Sequence, residues 1–155
     1  MRPFDLYIET SAWNFLLATD APDRRLVTER FFRHARECRY RLFVSDLVVV
    51  EMGNTKCATR RSQLLDLIRR YRPVLLAITT EMRGLAERYV IQGTVPAKYR
   101  DDAIHVAAAV VARLDAVVSW NFAHLVKLKT RREVNALNRL NGYAEIEIVT
   151  PEEVA

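Results

Sequence analysis

Glycine and proline are scarce in this 155-residue chain, at four and five residues, and nowhere do they gather into a stretch that reads as a linker. Length and the missing linker predict a single domain over 1–155. Cysteine is scarcer still. Cys38 and Cys57 lack the CxxC spacing of a zinc site and cannot build a disulfide framework, which points to a reduced, cytoplasmic setting. No run approaches the ~20 consecutive apolar residues of a membrane span. The opening MRPFDLYIE places acids where a signal peptide has its apolar stretch, so neither membrane nor secretion is expected.

What the chain does have is the composition of a packed domain, 50% hydrophobic and 28% charged, which excludes disorder. Its net charge is +5, and arginine outnumbers lysine 20 to 4. The guanidinium fork suits phosphate. A biased genome gives the same count, so charge alone leaves nucleic acid open.

Phe4 to Ile8 reads as a short strand with Phe4, Leu6 and Ile8 on one face. Thr10 or Ser11 is placed to cap a helix through Leu17. After Pro22, Val27, Phe31, Ala35 and Cys38 make one stripe, which predicts a helix with Cys38 in the core. Arg41 to Val44 is a second strand, and Ser45 caps a helix that carries Glu51. A helix follows over about 60–70, then a third strand over 73–78 and a helix over 80–92. The segment from Tyr99 to Leu114 is apolar between Ala103 and Ala112 except for His105, so its helix is packed on most sides. Asp115 to Ser119 is a fourth strand. A last helix runs over about 128–140, and Glu145 to Val149 alternates as an edge strand.

Alternating strands and helices with apolar inner strands predict an α/β fold, a three-layer α/β/α sandwich with a mostly parallel five-stranded sheet. Ligands in such folds bind beyond the carboxyl ends of the strands. Glu9 stands at the end of the first strand, Glu51 in the helix after the second, Asp101 and Asp102 at the start of the Ala-rich helix, and Asn121 just past the fourth strand. Acids meeting there would raise each other's pKa, and a divalent cation removes the conflict. Oxygen-only ligands indicate Mg²⁺ or Mn²⁺, and a hard cation beside a basic rim suits phosphodiester hydrolysis. Taken singly, each acid has a structural reading: Asp101 or Asp102 as a helix cap, Glu51 as a solvated helix residue, Glu9 in a salt bridge.

Four stretches, Tyr7 to Ser11, Ser45 to Glu51, Arg100 to Ala107 and Val117 to Phe122, together resemble the PIN domain of VapC-type toxins and related ribonucleases. The resemblance covers essentially the whole chain. It implies a five-stranded parallel sheet, a Mg²⁺- or Mn²⁺-dependent endoribonuclease centre and a homodimer. Position by position, the family's first three acids fall on Glu9, Glu51 and Asp102, and its fourth on Asn121. Glu replaces the usual Asp at the first position, and Asn121 offers a carbonyl oxygen without charge; Asp101 is the neighbour that would compensate. An endoribonuclease, as the toxin of a toxin–antitoxin pair, is the first reading, with RNA as substrate and an antitoxin as protein partner. A PIN-like domain that binds RNA or protein without cutting is the second, and a DNA nuclease of the same chemistry the third.

Several neighbours have two readings each. Thr10 and Ser11 either donate to a phosphate or cap the first helix. His105 is a ligand or proton shuttle, or a hydrogen-bonded core histidine. Trp120 and Phe122 stack bases or anchor their loop, and His124 touches a phosphate. Lys127, Lys129, Arg131 and Arg132 are an RNA backbone track or a solvated face. Arg69, Arg70 and Arg72 face solvent or dock an acidic partner. Trp13, Phe31 and Phe32 belong to the core or to a dimer interface.

Overall fold

The computed structural model of the chain describes residues 2–154. Strands β1 (Asp5–Ile8), β2 (Arg41–Ser45), β3 (Val74–Leu76), β4 (Ala116–Val118) and β5 (Glu147–Val149) form one sheet in the order β3-β2-β1-β4-β5. Every pairing among them is parallel. Helices α1 (Thr10–Phe15) and α2 (Pro22–Glu37) connect β1 to β2, and α3 (Asp46–Gly53) and α4 (Ala58–Tyr71) connect β2 to β3. The chain then passes through α5 (Thr80–Ile91), a 3₁₀ turn at Ala97–Tyr99 and α6 (Arg100–Val111) to β4, and through α7 (Leu128–Leu140) to β5 and α8 (Pro151–Val154).

Parallel crossovers are right-handed, so connections that step in opposite directions along the sheet cover opposite faces. The first two step outward from β1 to β3 and the later ones return past β1 to β4 and β5. The order therefore reverses between β1 and β4, which opens a crevice at their carboxyl ends.

Both faces of the sheet are covered, and β1 is buried along its whole length. Burial includes Asp5, whose carboxylate accepts two hydrogen bonds from the Arg41 guanidinium at 2.6 and 2.7 Å, a bidentate pair at the amino end of the sheet. Trp13 packs on Phe32 with ring centres 4.9 Å apart and donates its indole N–H to the Ile8 carbonyl at 3.1 Å. Trp13, Phe31 and Phe32 are thus core residues. Every residue of α6 from Ala103 to Val110 is buried, and its alanines let the helix sit close to the sheet and to α5.

Three expectations are corrected. Cys38 is exposed, because α2 ends at Glu37 and the apolar stripe stops a turn earlier; its sulfur lies against His34. The first residue to cap α1 is Glu9, not Thr10 or Ser11. Ser45 occupies the N-cap position of α3 without bonding the helix. The short α8, not anticipated from the sequence, starts at a proline, which is pre-organised for a first turn. Its Glu153 carboxylate accepts the Thr150 N–H at 2.7 Å.

Replacing Ala108 by Leu inserts three carbons into a close-packed layer. It is expected to lower stability by about 1–3 kcal/mol, read as a lower urea midpoint at unchanged slope.

Candidate active site

The crevice is built from the ends of β1, β2 and β4 and the first turns of α1 and α6. Glu9, the residue after β1, is only 5% exposed. Its Oε1 accepts the Ser11 hydroxyl at 2.5 Å and the Ser119 hydroxyl at 2.6 Å, and its Oε2 accepts the Ser11 N–H at 3.1 Å. Each serine oxygen is fixed in turn by a backbone N–H, that of Trp120 on Ser11 and that of Asn121 on Ser119, both at 2.9 Å. The hydroxyl protons therefore point at the carboxylate. Among the described residues no basic side chain pairs with Glu9, so the salt-bridge reading for it is set aside.

Glu51 is half-buried on α3. Its Oε1 accepts the Thr10 hydroxyl at 2.7 Å and lies 2.5 Å from Nε2 of His105. His105 is fully buried, and the Tyr7 hydroxyl lies 2.6 Å from its Nδ1 and 2.8 Å from the Ser45 hydroxyl. A chain Ser45–Tyr7–His105–Glu51–Thr10 thus runs across the ends of β1 and β2. Burial works against both charges of the central pair. The hydrogen bond and charge of His105, with Thr10, nonetheless hold the Glu51 carboxyl below its usual range. Glu51, aided by Glu9 and Asp102, holds the imidazole above its ordinary value.

Asp102, on the first turn of α6, has the opposite balance. Burial and then the charge of Glu9 push its carboxyl up, against His105, the Asn121 side chain and His124. The Asn121 amide oxygen accepts the His124 N–H at 3.0 Å, so the expected carbonyl donor is engaged by its own loop, with the side chain near enough to Asp102 to favour its charged form. Asp101 is exposed, and neither aspartate caps α6, whose N-cap is Tyr99.

The remaining candidates are placed as follows. The hydroxyls of Thr10 and Ser11 are turned onto Glu51 and Glu9, inward. Trp120 is buried and donates its indole N–H to Thr28 at 2.8 Å, the anchoring reading. Phe122 beside it is 44% exposed, and the Arg24 guanidinium lies 5.0 Å from its ring centre and 5.4 Å from that of Trp120. His124 stacks on Tyr99 with ring centres 4.0 Å apart. Lys127 is exposed, and Lys129 pairs with Glu133 at 2.8 Å, one turn along α7. Tyr7, Ser45 and Ser119 lie inside the stretches that carry the resemblance, which assigns them no site role. Their one sequence signal is a polar tip inside an apolar strand or at its end, which burial obliges to find a partner.

Among the described residues no three His, Cys, Asp or Glu side chains are gathered closely enough to hold a metal ion. The donor chemistry itself fits a hard divalent cation. Glu9, Glu51 and Asp102 supply carboxylate oxygens on one rim. Glu51 Oε2 takes no hydrogen bond from the described residues, and Asp102 is a desolvated acid kept up by a neighbouring negative charge.

No protein-family profile and no curated protein sequence matches the chain. Solved structures do. The VapBC2 structure of Rickettsia felis, described as bound to a DNA fragment from its promoter, aligns over 94% of this chain and 97% of its own at 10% identity and a TM-score of 0.58. VapC20 of Mycobacterium tuberculosis, described as a toxin that cleaves the sarcin–ricin loop, aligns over 92% and 98% at 12% identity and a TM-score of 0.58. The chain has a PIN-like fold. Among the described residues no helix is long and apolar enough to cross a membrane.

The two acids of opposite balance predict stability changes of opposite sign. Asp102 has a raised carboxyl, so its ionisation costs stability once pH passes the folded value. Asp102→Asn is expected to raise the melting temperature at neutral pH, the gain shrinking as pH falls toward 4. Glu51 has a lowered carboxyl, whose contribution is present above its unfolded value and lost as pH falls through the folded one. Glu51→Gln is expected to cost about 1–3 kcal/mol at neutral pH and progressively less in acid. Scanning calorimetry in EDTA from pH 4 to 8 reads both.

Proposed function

We propose that the chain is a Mg²⁺- or Mn²⁺-dependent endoribonuclease that hydrolyses RNA phosphodiester bonds, serving as the toxin of a toxin–antitoxin pair. What supports this reading is that Glu9, Glu51 and Asp102, from three distant parts of the sequence, all lie near enough to the buried His105 to act on its charge, beside the β1/β4 switch point of a PIN-like fold. Support for the substrate class comes from the basic chain and from the cleaving activity named for VapC20.

Glu9, Asp102 and the outward oxygen of Glu51 would hold the cation, with Asp101 as the nearest further acid. Lewis acidity toward a phosphate and relief of the rim's negative charge are what a divalent cation supplies there when bound. The chain's own residues do the rest. Ser11 and Ser119 fix Glu9 in one orientation, so the carboxylate needs no rearrangement when charge develops nearby. His105 holds Glu51 by one oxygen and leaves the other free. A carboxylate oxygen of the rim left free by the cation would be the acceptor for a proton from an attacking water. Asn121 lies near enough to Asp102 to favour its charged form, and Phe122 and Lys127, both exposed on the segment after β4, are where a strand would lie.

One observation favours a second reading, in which the domain binds RNA or a protein partner without cutting: Glu51 is engaged by His105, and the Asn121 oxygen is committed to its loop. The experiment that separates the two measures Mn²⁺ binding by calorimetry and RNA cleavage side by side. Under the first reading the chain binds Mn²⁺ and cuts RNA in preference to DNA. Glu9→Gln and Asp102→Asn, with the fold intact, lower cleavage by roughly a hundredfold or more. Absence of binding at millimolar metal together with absence of cleavage would establish the second. The proposal also carries an antitoxin partner and a homodimer; sedimentation of the purified chain checks the dimer, with a monomer as the contrary result.

A further inference from the structure

The end of the sheet opposite the crevice holds a second concentration of charge. A depression of about 320 Å³ is lined by Arg36 on α2, Arg39 and Arg41 at the entry to β2, Arg70 and Tyr71 on α4, and Arg72. No acid lines it. Arg41 is neutralised by Asp5, but the other four guanidinium groups make no ion pair among the described residues. The guanidinium groups of Arg36 and Arg70 lie over the ring of Tyr71, 5.1 and 5.7 Å from its centre, so one aromatic side chain gathers both cations.

Arg39 and Arg72 stand at the mouth of the same depression, in left-handed backbone with φ of 58° and 49° where α2 and α4 end. Arg113, outside the depression, closes α6 in the same way with φ of 60°, so the conformation is an ordinary helix ending and the placement of the two side chains is what counts here. Clustered cations without counter-charge repel one another, so the arrangement is stabilised by a polyanion arriving from outside.

We propose that this cleft is a second, sequence-independent docking site for the phosphate backbone of a structured RNA, distant from the crevice where the chemistry is placed. It extends the reading of an RNA-acting chain. β2 runs from one site to the other, so an RNA that touches both must span the length of the strand, roughly 15 Å. A stem reaches that far and a dinucleotide does not. A nucleic acid fits better than an acidic peptide. The guanidinium fork matches regularly spaced phosphates, and four such groups without an ion-pair partner among the described residues line this depression.

The test measures binding without cleavage, in EDTA, by fluorescence anisotropy with a labelled RNA hairpin whose stem has roughly 16 base pairs. Arg36→Gln with Arg70→Gln removes two charges from helical positions. Arg39→Gly with Arg72→Gly removes two while relieving the left-handed backbone, so misfolding does not confound it. Arg83→Gln with Arg88→Gln, on α5, is the equal-charge control. Both cleft variants are expected to weaken hairpin binding about tenfold or more near 100 mM salt and to lower the log–log salt slope by about 1.5–2, with the control within twofold of the parent chain. Hairpin binding unchanged in the cleft variants, a loss matched by the control, or loss of poly-glutamate binding instead of hairpin binding would each overturn the proposal. Because the readout omits cleavage, failure here is distinct from failure of the ribonuclease reading.

Discussion

A negative charge buried at the end of the central strand constrains everything around it. Glu9 leaves β1 with almost no access to water and without a basic partner among the described residues, so its stabilisation must come from hydrogen bonds. Ser11 and Ser119 provide them, one from the helix that follows and one from the strand across the switch point. Those hydroxyls can point inward only because the Trp120 and Asn121 N–H groups occupy their acceptor sides. Register between β1 and β4, the start of α1 and the course of the loop after β4 are thereby fixed together. Around this clasp the two other acids are set apart: Glu51 is satisfied by an imidazole and a hydroxyl, while Asp102 is left desolvated beside a like charge. A rim built in this way leaves its electrostatic cost on Asp102.

Much of this was legible in the amino-acid order. Apolar periodicity located every strand and all the longer helices, and α7 spans Leu128–Leu140 as the pattern indicates. Parallel strands alone place the residues that follow β1 and β2 on one rim, which brings Glu9 and the helix of Glu51 to the same end of the sheet. Asp102 lies on α6, which follows β3 only after α5 and a 3₁₀ turn, and its position there needed the structure. Side-chain partners were harder to read, and for physical reasons. Tyr7 lies in an apolar strand, and nothing local shows that its hydroxyl reaches a histidine 98 residues later. Ser119 looks like a strand terminus, yet it is half of the clasp on Glu9. Asn121 has two ends, and only the loop geometry shows that its oxygen is taken by His124. Cys38 misled because helical spacing says which side a residue faces but not where the helix stops.

His105 shows how a structural reading and a functional one become the same statement. It is a core histidine, wholly buried, and both ring nitrogens are engaged. It is also the counter-charge of a rim acid. Tying Nδ1 to Tyr7 fixes the ring's orientation, which in turn fixes the face of Glu51 that remains open. The helix that carries it is rich in alanine for a related reason: only small side chains let α6 approach closely enough for His105 and Asp102, one turn apart, to enter the crevice together.

The anchoring of Trp120 on Thr28, with Arg24 laid over Phe122, has a mechanical consequence. The segment bearing Asn121 is riveted to the opening turns of α2 at two points, one a buried hydrogen bond and the other a cation on aromatic faces. The segment is therefore seated on α2 as well as on the sheet, so a substitution at Thr28 or Arg24 touches the surroundings of Asn121 although both lie almost a hundred residues earlier.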